Sequence, residues 1–280
     1  MEILLGALVA LGWGSGDFLG GIAAKRIPTV TVLLVSQAVG LAAAFLLVVA
    51  LRDAVPDPHI FLLSAAAGVV GIAALGMLFR GLAVGRMSIV APLSAIGGGV
   101  LPVAWGLVRG ERPSALALVG VGLALVAAAV VGRGAEHDPA RSISPRMELA
   151  LGVGAGIGFG VVFILLSEAS SGSGMWPIFI ARCTSVPVLA VIAATVGVSP
   201  RIARADLAPV AGAGLFDVGA NALVLLAVRR GLVSLVAPVA SLYPATTVLL
   251  ARAVLHERIG RQRLGGLALG ILGLALIAAR

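Results

Sequence analysis

Ser88-Ile-Val-Ala-Pro92 returns as Ser234-Leu-Val-Ala-Pro238, an offset of 146 residues. At the same offset Glu111 returns as Glu257 and Arg112 as Arg258. Gly6, Gly12, Gly14, Gly85 and Gly120 map without a gap onto Gly152, Gly158, Gly160, Gly231 and Gly266, while Trp13 maps onto Phe159. A shared bias in composition does not keep single glycines in register over so long a distance; a duplication does. The chain therefore reads as two repeats, residues 1-132 and 147-280, joined by a linker over 133-146.

Composition places both repeats in lipid. Hydrophobic residues make up 60% and charged residues only 11% of the chain, with a mean hydropathy of +1.14; a soluble domain carries about 25% charged residues. A helix needs roughly 20 apolar residues to cross the hydrocarbon core. Ten such runs are expected, at about 3-22, 29-51, 60-79, 88-108, 114-132, 149-168, 176-197, 207-227, 234-254 and 264-279. Met1-Glu2 leads directly into the first, which lacks the cationic start of a secretory signal and is kept as a span. Connections such as Lys25-Arg-Ile-Pro28 carry the charge and proline that end apolar helices. Five spans is an odd number, so the second repeat enters the membrane from the opposite side. The fold class expected is an all-α integral membrane protein, two inverted five-helix repeats able to rock around a site near the midplane.

The net charge of +8 does not imply a nucleic-acid partner, because almost all basic residues fall in or beside short connections, where they set topology. Arg52, Arg109, Arg112, Arg229, Arg230 and Arg280 lie on the side of the termini. About twice as many lie opposite, a distribution that on its own puts the termini outside the cell. Cys183 has no partner for a disulfide and reads as a small packing residue, without redox or zinc chemistry. His59, His137 and His256 fall in connections or at span ends, and Trp13-Gly-Ser-Gly16 lacks the other members of a triad. No metal-ligand cluster or phosphate-cradling loop is present, so neither catalytic residues nor a cofactor are expected.

The site residues expected are those that lipid tolerates worst. A charge inside a span costs about 2.5 to 3.5 kcal/mol on insertion scales, so it should face a cavity or a partner. Asp17, Arg182 and Asp217 stand out. Asp17 lies one turn beyond Trp13, on the same face, and its competing readings are a carboxylate near the interface or an ion pair with Arg182. Asp217 and Asn221 share a face that Gly71 and Leu75 occupy in the first repeat, so this polarity belongs to one half only. Arg182 binds a substrate carboxylate or snorkels to the headgroups. Gln37, Tyr243 and Thr246 add uncharged donors and acceptors; Trp13 and Trp105 are aromatic surface or interfacial anchors. Glu111 and Glu257, beside Arg112 and Arg258, read as solvated or ion-paired span ends rather than substrate contacts. Gly12, Gly16 and Gly20, like Gly152, Gly156 and Gly160, recur every four residues and read as close-packed or sliding helix faces.

Phe79-Arg-Gly-Leu-Ala-Val-Gly-Arg-Met-Ser-Ile-Val-Ala-Pro-Leu93 and Ala227-Val-Arg-Arg-Gly-Leu-Val-Ser-Leu-Val-Ala-Pro-Val239 resemble the EamA family of the drug/metabolite transporter superfamily. Trp13-Gly-Ser15, Tyr243-Pro-Ala-Thr-Thr247 and the Gly-Glu-Arg and His-Glu-Arg ending each repeat's fourth span extend the likeness along the chain. The resemblance implies a ten-helix carrier of the inner (cytoplasmic) membrane, an exporter of amino acids or related compounds with cytoplasmic termini, the opposite of the charge distribution. The family's arginine in the second span of each repeat is matched by Arg182, but its counterpart here is Ser36. On this reading Trp13, Asp17, Gln37, Arg182, Asp217, Asn221, Tyr243 and Thr246 contact a zwitterionic or cationic metabolite. A desolvated carboxylate can take up a proton, so Asp17 or Asp217 is expected to couple transport to the proton gradient. The alternatives are a membrane-embedded enzyme and a non-transporting scaffold surrounded by lipid.

Overall fold

Lipid offers no hydrogen-bond partner to a free backbone, so a spanning chain must satisfy its peptide groups within helices or a closed barrel. The computed structural model describes residues 2–84, 87–133, 143–255 and 260–278, and among these the regular structure is entirely helical. The first repeat forms α1 (Glu2–Ala24), α2 (Thr29–Leu51), α3 (Pro58–Val84), α4 (Met87–Val108) and α5 (Ala115–Arg133). The second forms α6 (Pro145–Glu168), α7 (Trp176–Val196), α8 (Arg204–Val228), α9 (Val233–Ala240), α10 (Tyr243–Leu255) and α11 (Arg261–Ala278). Boundaries follow local chemistry. Pro28 precedes α2, Arg52 and Gly197 take left-handed conformations (φ 52° and 72°) after α2 and α7, and Ser144 caps α6 with Pro145 in its first turn.

One expected span differs. The run 234-254 is not a single helix but breaks at Ser241-Leu242 between α9 and α10. Pro244 has no N–H to give the carbonyl of Ala240, and its ring crowds that carbonyl. The chain turns instead: Ser241 Oγ donates to the Ala237 carbonyl at 2.9 Å and Ala245 N to that of Leu242 at 2.9 Å. Gly98 stands at the equivalent place in α4, which continues unbroken.

Six helices, α1, α2, α3, α6, α7 and α8, are long and apolar enough to cross a membrane. Leu93–Val108, Ala115–Ala127, Val233–Thr247 and Leu264–Ile277 are shorter apolar stretches. The distribution of polarity suits lipid: Leu62 and Ile271 are 71% and 72% exposed, whereas Gln37 and Arg182 are 2% and 9% exposed. This is a multi-pass membrane protein. Cys183 is exposed on the outside of α7 rather than packed inside, because its neighbour Arg182 takes the inward face and successive residues turn by about 100°.

The repeats bury their faces against each other. α1 packs on α8, α9 and α10, and in the matching way α6 packs on α3 and α4; α2 meets α7 and α5 meets α11. The symmetry reaches single atoms. A Cβ on Gly12 would meet the Ala220 methyl at 2.9 Å, and one on Gly158 the Ala74 methyl at 2.6 Å, both shifted by the repeat offset. Gly14 likewise lies against the Tyr243 carbonyl where Gly160 lies against that of Gly97. The glycine stripes are packing faces: Gly12 and Gly16 seat α8, and Gly152 and Gly156 seat α4 at Leu93. Small residues let backbones approach where lipid supplies no hydrophobic expulsion.

Glu111 departs from expectation. Its carboxylate accepts hydrogen bonds from Val233 N and Ser234 N, each at 2.9 Å, and so caps α9 of the opposite repeat rather than pairing with Arg112. A helix amino terminus leaves N–H groups unsatisfied and carries partial positive charge, which a carboxylate answers on both counts. Glu257, Arg258 and His256 lie outside the described residues. Glu111→Ala should lower stability by about 1 kcal/mol or more, with Glu111→Gln in between, read as thermal midpoints of the purified protein.

Candidate functional site

α1 presents Trp13 and Asp17 one turn apart, and α8 presents Asp217 and Asn221 one turn apart. The glycine contacts of α1 with α8 bring these turns together. α7 contributes Arg182, whose Nη2 forms a close ion pair with Asp217 Oδ2 and whose Nη1 donates to Gln37 Oε1 on α2. Ser185 Oγ donates to the same Gln37 oxygen at 3.1 Å. Asn221 Nδ2 donates to Asp217 Oδ1 at 3.1 Å and to the Asp217 carbonyl at 2.8 Å. One polar network thus ties α2, α7 and α8 across the two repeats. Arg182 Nε, buried and without a hydrogen-bond partner among the described residues, lies 3.3 Å from where a Cβ on Gly40 would sit.

This network borders a cavity whose space, about 780 Å³ with the solvent it opens to, lies between the helices. Trp13, Asp17, Gln37, Arg182, Asp217, Asn221 and Tyr243 all line it, with Gly68, Gly71 and Leu75 of α3 and Phe159, Val162 and Leu166 of α6 as its apolar wall. A smaller adjoining space of about 290 Å³ shares Trp13, Asp17, Gln37, Leu75 and Asp217 and extends to Phe79 and Gly214. The two carboxylates therefore stand between the compartments.

Seven of the eight residues singled out in the sequence meet here. Thr246 does not line the cavity: it is buried against Gly14 of α1, where Thr247 Oγ1 donates to the Gly14 carbonyl at 3.1 Å. The restart of the helix at Tyr243 sends the tyrosine inward, and Thr246, three residues on, meets the flank of α1. Arg182 does not snorkel, and it pairs with Asp217 rather than Asp17. Asp17 makes no hydrogen bond or ion pair among the described residues; its electrostatic neighbours are Asp217 and Tyr243. Trp105 does not line the cavity; it donates through Nε1 to Glu168 at 2.9 Å beside Arg109.

Phe159, Ser94 and Ser185 were not singled out. Phe159 had a signal, as the repeat counterpart of Trp13. Ser94 shares a 2.6 Å hydrogen bond with the Tyr243 hydroxyl across α4 and α10, and Ser185 supports Gln37. Nothing in the sequence separates those two from the serines that merely bond their own helix, such as Ser36 and Ser64.

Inverted repeats that pack on one another and enclose a charged chamber are an architecture found in many transporter folds. The sequence matches the EamA-like transporter family over residues 1–133 and again over 146–279, and the chain belongs to that family. By class it is a drug/metabolite-type transporter. No curated protein matches it. A solved crystal structure covers 99% of this chain and 96% of its own, with a TM-score of 0.79 and 17% identity, a likeness of fold.

Proposed function

We propose that the chain is a ten-span secondary carrier that moves small metabolites, such as amino acids or related compounds, outward across the cell's inner membrane by alternating access. The observation that carries this is the convergence of seven polar and aromatic side chains, drawn from both repeats, on one chamber between them. A scaffold has no use for three charges placed there at the cost lipid imposes.

The ends of the chamber are fastened by polar contacts between the repeats. At one end Glu111 caps α9, Glu168 accepts from Trp105 and Arg109, and Asp53 Oδ2 accepts from Met175 N at 2.7 Å while its carbonyl accepts from Trp176 Nε1 at 3.1 Å. At the other, Arg26 lies 3.6 Å from Asp206 and Thr31 Oγ1 donates to the Ser199 carbonyl at 3.0 Å. In the proposed cycle one set parts as the other tightens, and the unpaired Asp17 exchanges protons with substrate.

Reconstituted protein should show saturable flux of at least one member of a panel of amino acids, amines and organic acids, accelerated by an imposed pH gradient. Flux without saturation for every member would return the chain to the scaffold reading.

A further inference from the structure

The charges that line the chamber do not balance. Among the described residues that line it, Asp17 and Asp217 face one cation, Arg182. Asp217 is fully engaged, with Oδ2 held by Arg182 and Oδ1 by Asn221. The charge of Arg182 is already paired with Asp217, one N–H of each Nη donates to Gln37 or Asp217, and Nε faces Gly40 rather than open space. The remainder is one uncompensated carboxylate, Asp17, in desolvated surroundings that favour a counter-charge.

Aromatic side chains line the same chamber. Trp13 lies one turn from Asp17 and is steadied by an edge contact with Phe163, ring centroids 6.1 Å apart at 75°. Tyr243, an electrostatic neighbour of Asp17, is pinned through its hydroxyl to Ser94. Phe159 lines the chamber from α6. Ring faces attract cations, and the attraction grows when water is excluded. A ligand carrying its own carboxylate would bring a second negative charge toward Asp17 and find, among the described lining residues, only a cation already paired with Asp217.

We propose that the chamber selects a monovalent organic cation, an amine or quaternary ammonium with an apolar or aromatic body, its charge at Asp17 and its body among Trp13, Phe159 and Tyr243. The inference rests on the carrier reading and narrows its substrate: amines rather than zwitterionic amino acids.

The test is equilibrium binding to the purified full-length protein in detergent, by calorimetry, using phenethylammonium, tetraethylammonium, phenylalanine and 3-phenylpropionate. Both cations should bind saturably and at least tenfold more tightly than phenylalanine, with no binding of phenylpropionate. Asp17→Asn should weaken the cations at least tenfold, while Asp17→Glu, which keeps the charge, should retain them; the thermal midpoint of each variant reports its folding. Phenylalanine binding as tightly as phenethylammonium, failure of both cations to bind, or a folded Asp17→Asn that binds cations like the wild type would each overturn the assignment. Cation binding without flux in liposomes would defeat the carrier reading and leave this site standing, whereas zwitterion flux without cation binding would do the reverse.

Discussion

Arg182→Ala should abolish transport and lower stability by about 3–5 kcal/mol, the usual result of removing one partner from a buried ion pair. The side chains of Arg182 and Asp217 are 11% and 25% exposed, so little water is available to replace the lost partner. Truncation also strips Gln37 of a donor and leaves Asp17 and Asp217 as neighbouring carboxylates with no cation between them. Arg182→Lys should rescue little. An ammonium lacks the planar fork that reaches Gln37 and Asp217 together. Arg182→Ala combined with Asp217→Ala is the informative variant, because replacing a buried pair by apolar groups is often neutral. It should recover most of the thermal midpoint and none of the transport. A single Arg182→Ala variant that melts like the wild type would show that the pair contributes nothing to holding α7 on α8.

Most of the fold could be read from the sequence because its cause is local and repeated. An offset kept by single glycines marks the duplication, and the glycines keep it because each seats a helix of the other repeat at an equivalent point, Gly12 on Ala220 as Gly158 on Ala74. The candidate site was legible for a different reason: lipid makes every intramembrane charge conspicuous. What stayed hidden depends on contacts between distant residues. Pro187, Pro209 and Pro238 sit inside helices, so Pro244 does not announce a break by residue type. Asp17 and Asp217 are equally plausible partners for Arg182 until α7 and α8 are in place. Glu111 has an arginine beside it in sequence, yet it bonds to backbone 122 residues away. Thr246 lies close to Tyr243 in sequence, but α1 claims its face.

Gly68→Ala and Gly214→Ala should each destabilise the protein by about 1–3 kcal/mol, against the sign that helix propensity alone would give. A Cβ on Gly214 of α8 would fall on the Ser36 carbonyl of α2, and one on Gly68 of α3 on the Ala181 carbonyl of α7. The obstructing atoms are helix carbonyls, which cannot swing aside as a side-chain tip can, so one helix must move off the other. Ser36 precedes Gln37 and Ala181 precedes Arg182, and Arg182 joins Gln37 to Asp217 in the charged network. Displacing either crossing therefore displaces the site, and transport should fall at least tenfold in both variants, the scale on which small misplacements cost function. The two positions are repeat equivalents, so effects of similar size are expected. Gly219→Ala supplies the contrast within α8: a Cβ there meets nothing within 4 Å, and the substitution should be neutral or raise stability by up to about 1 kcal/mol. Thermal midpoints that rise in all three variants would mean that α2 and α7 are not held as close to α8 and α3 as these crossings require.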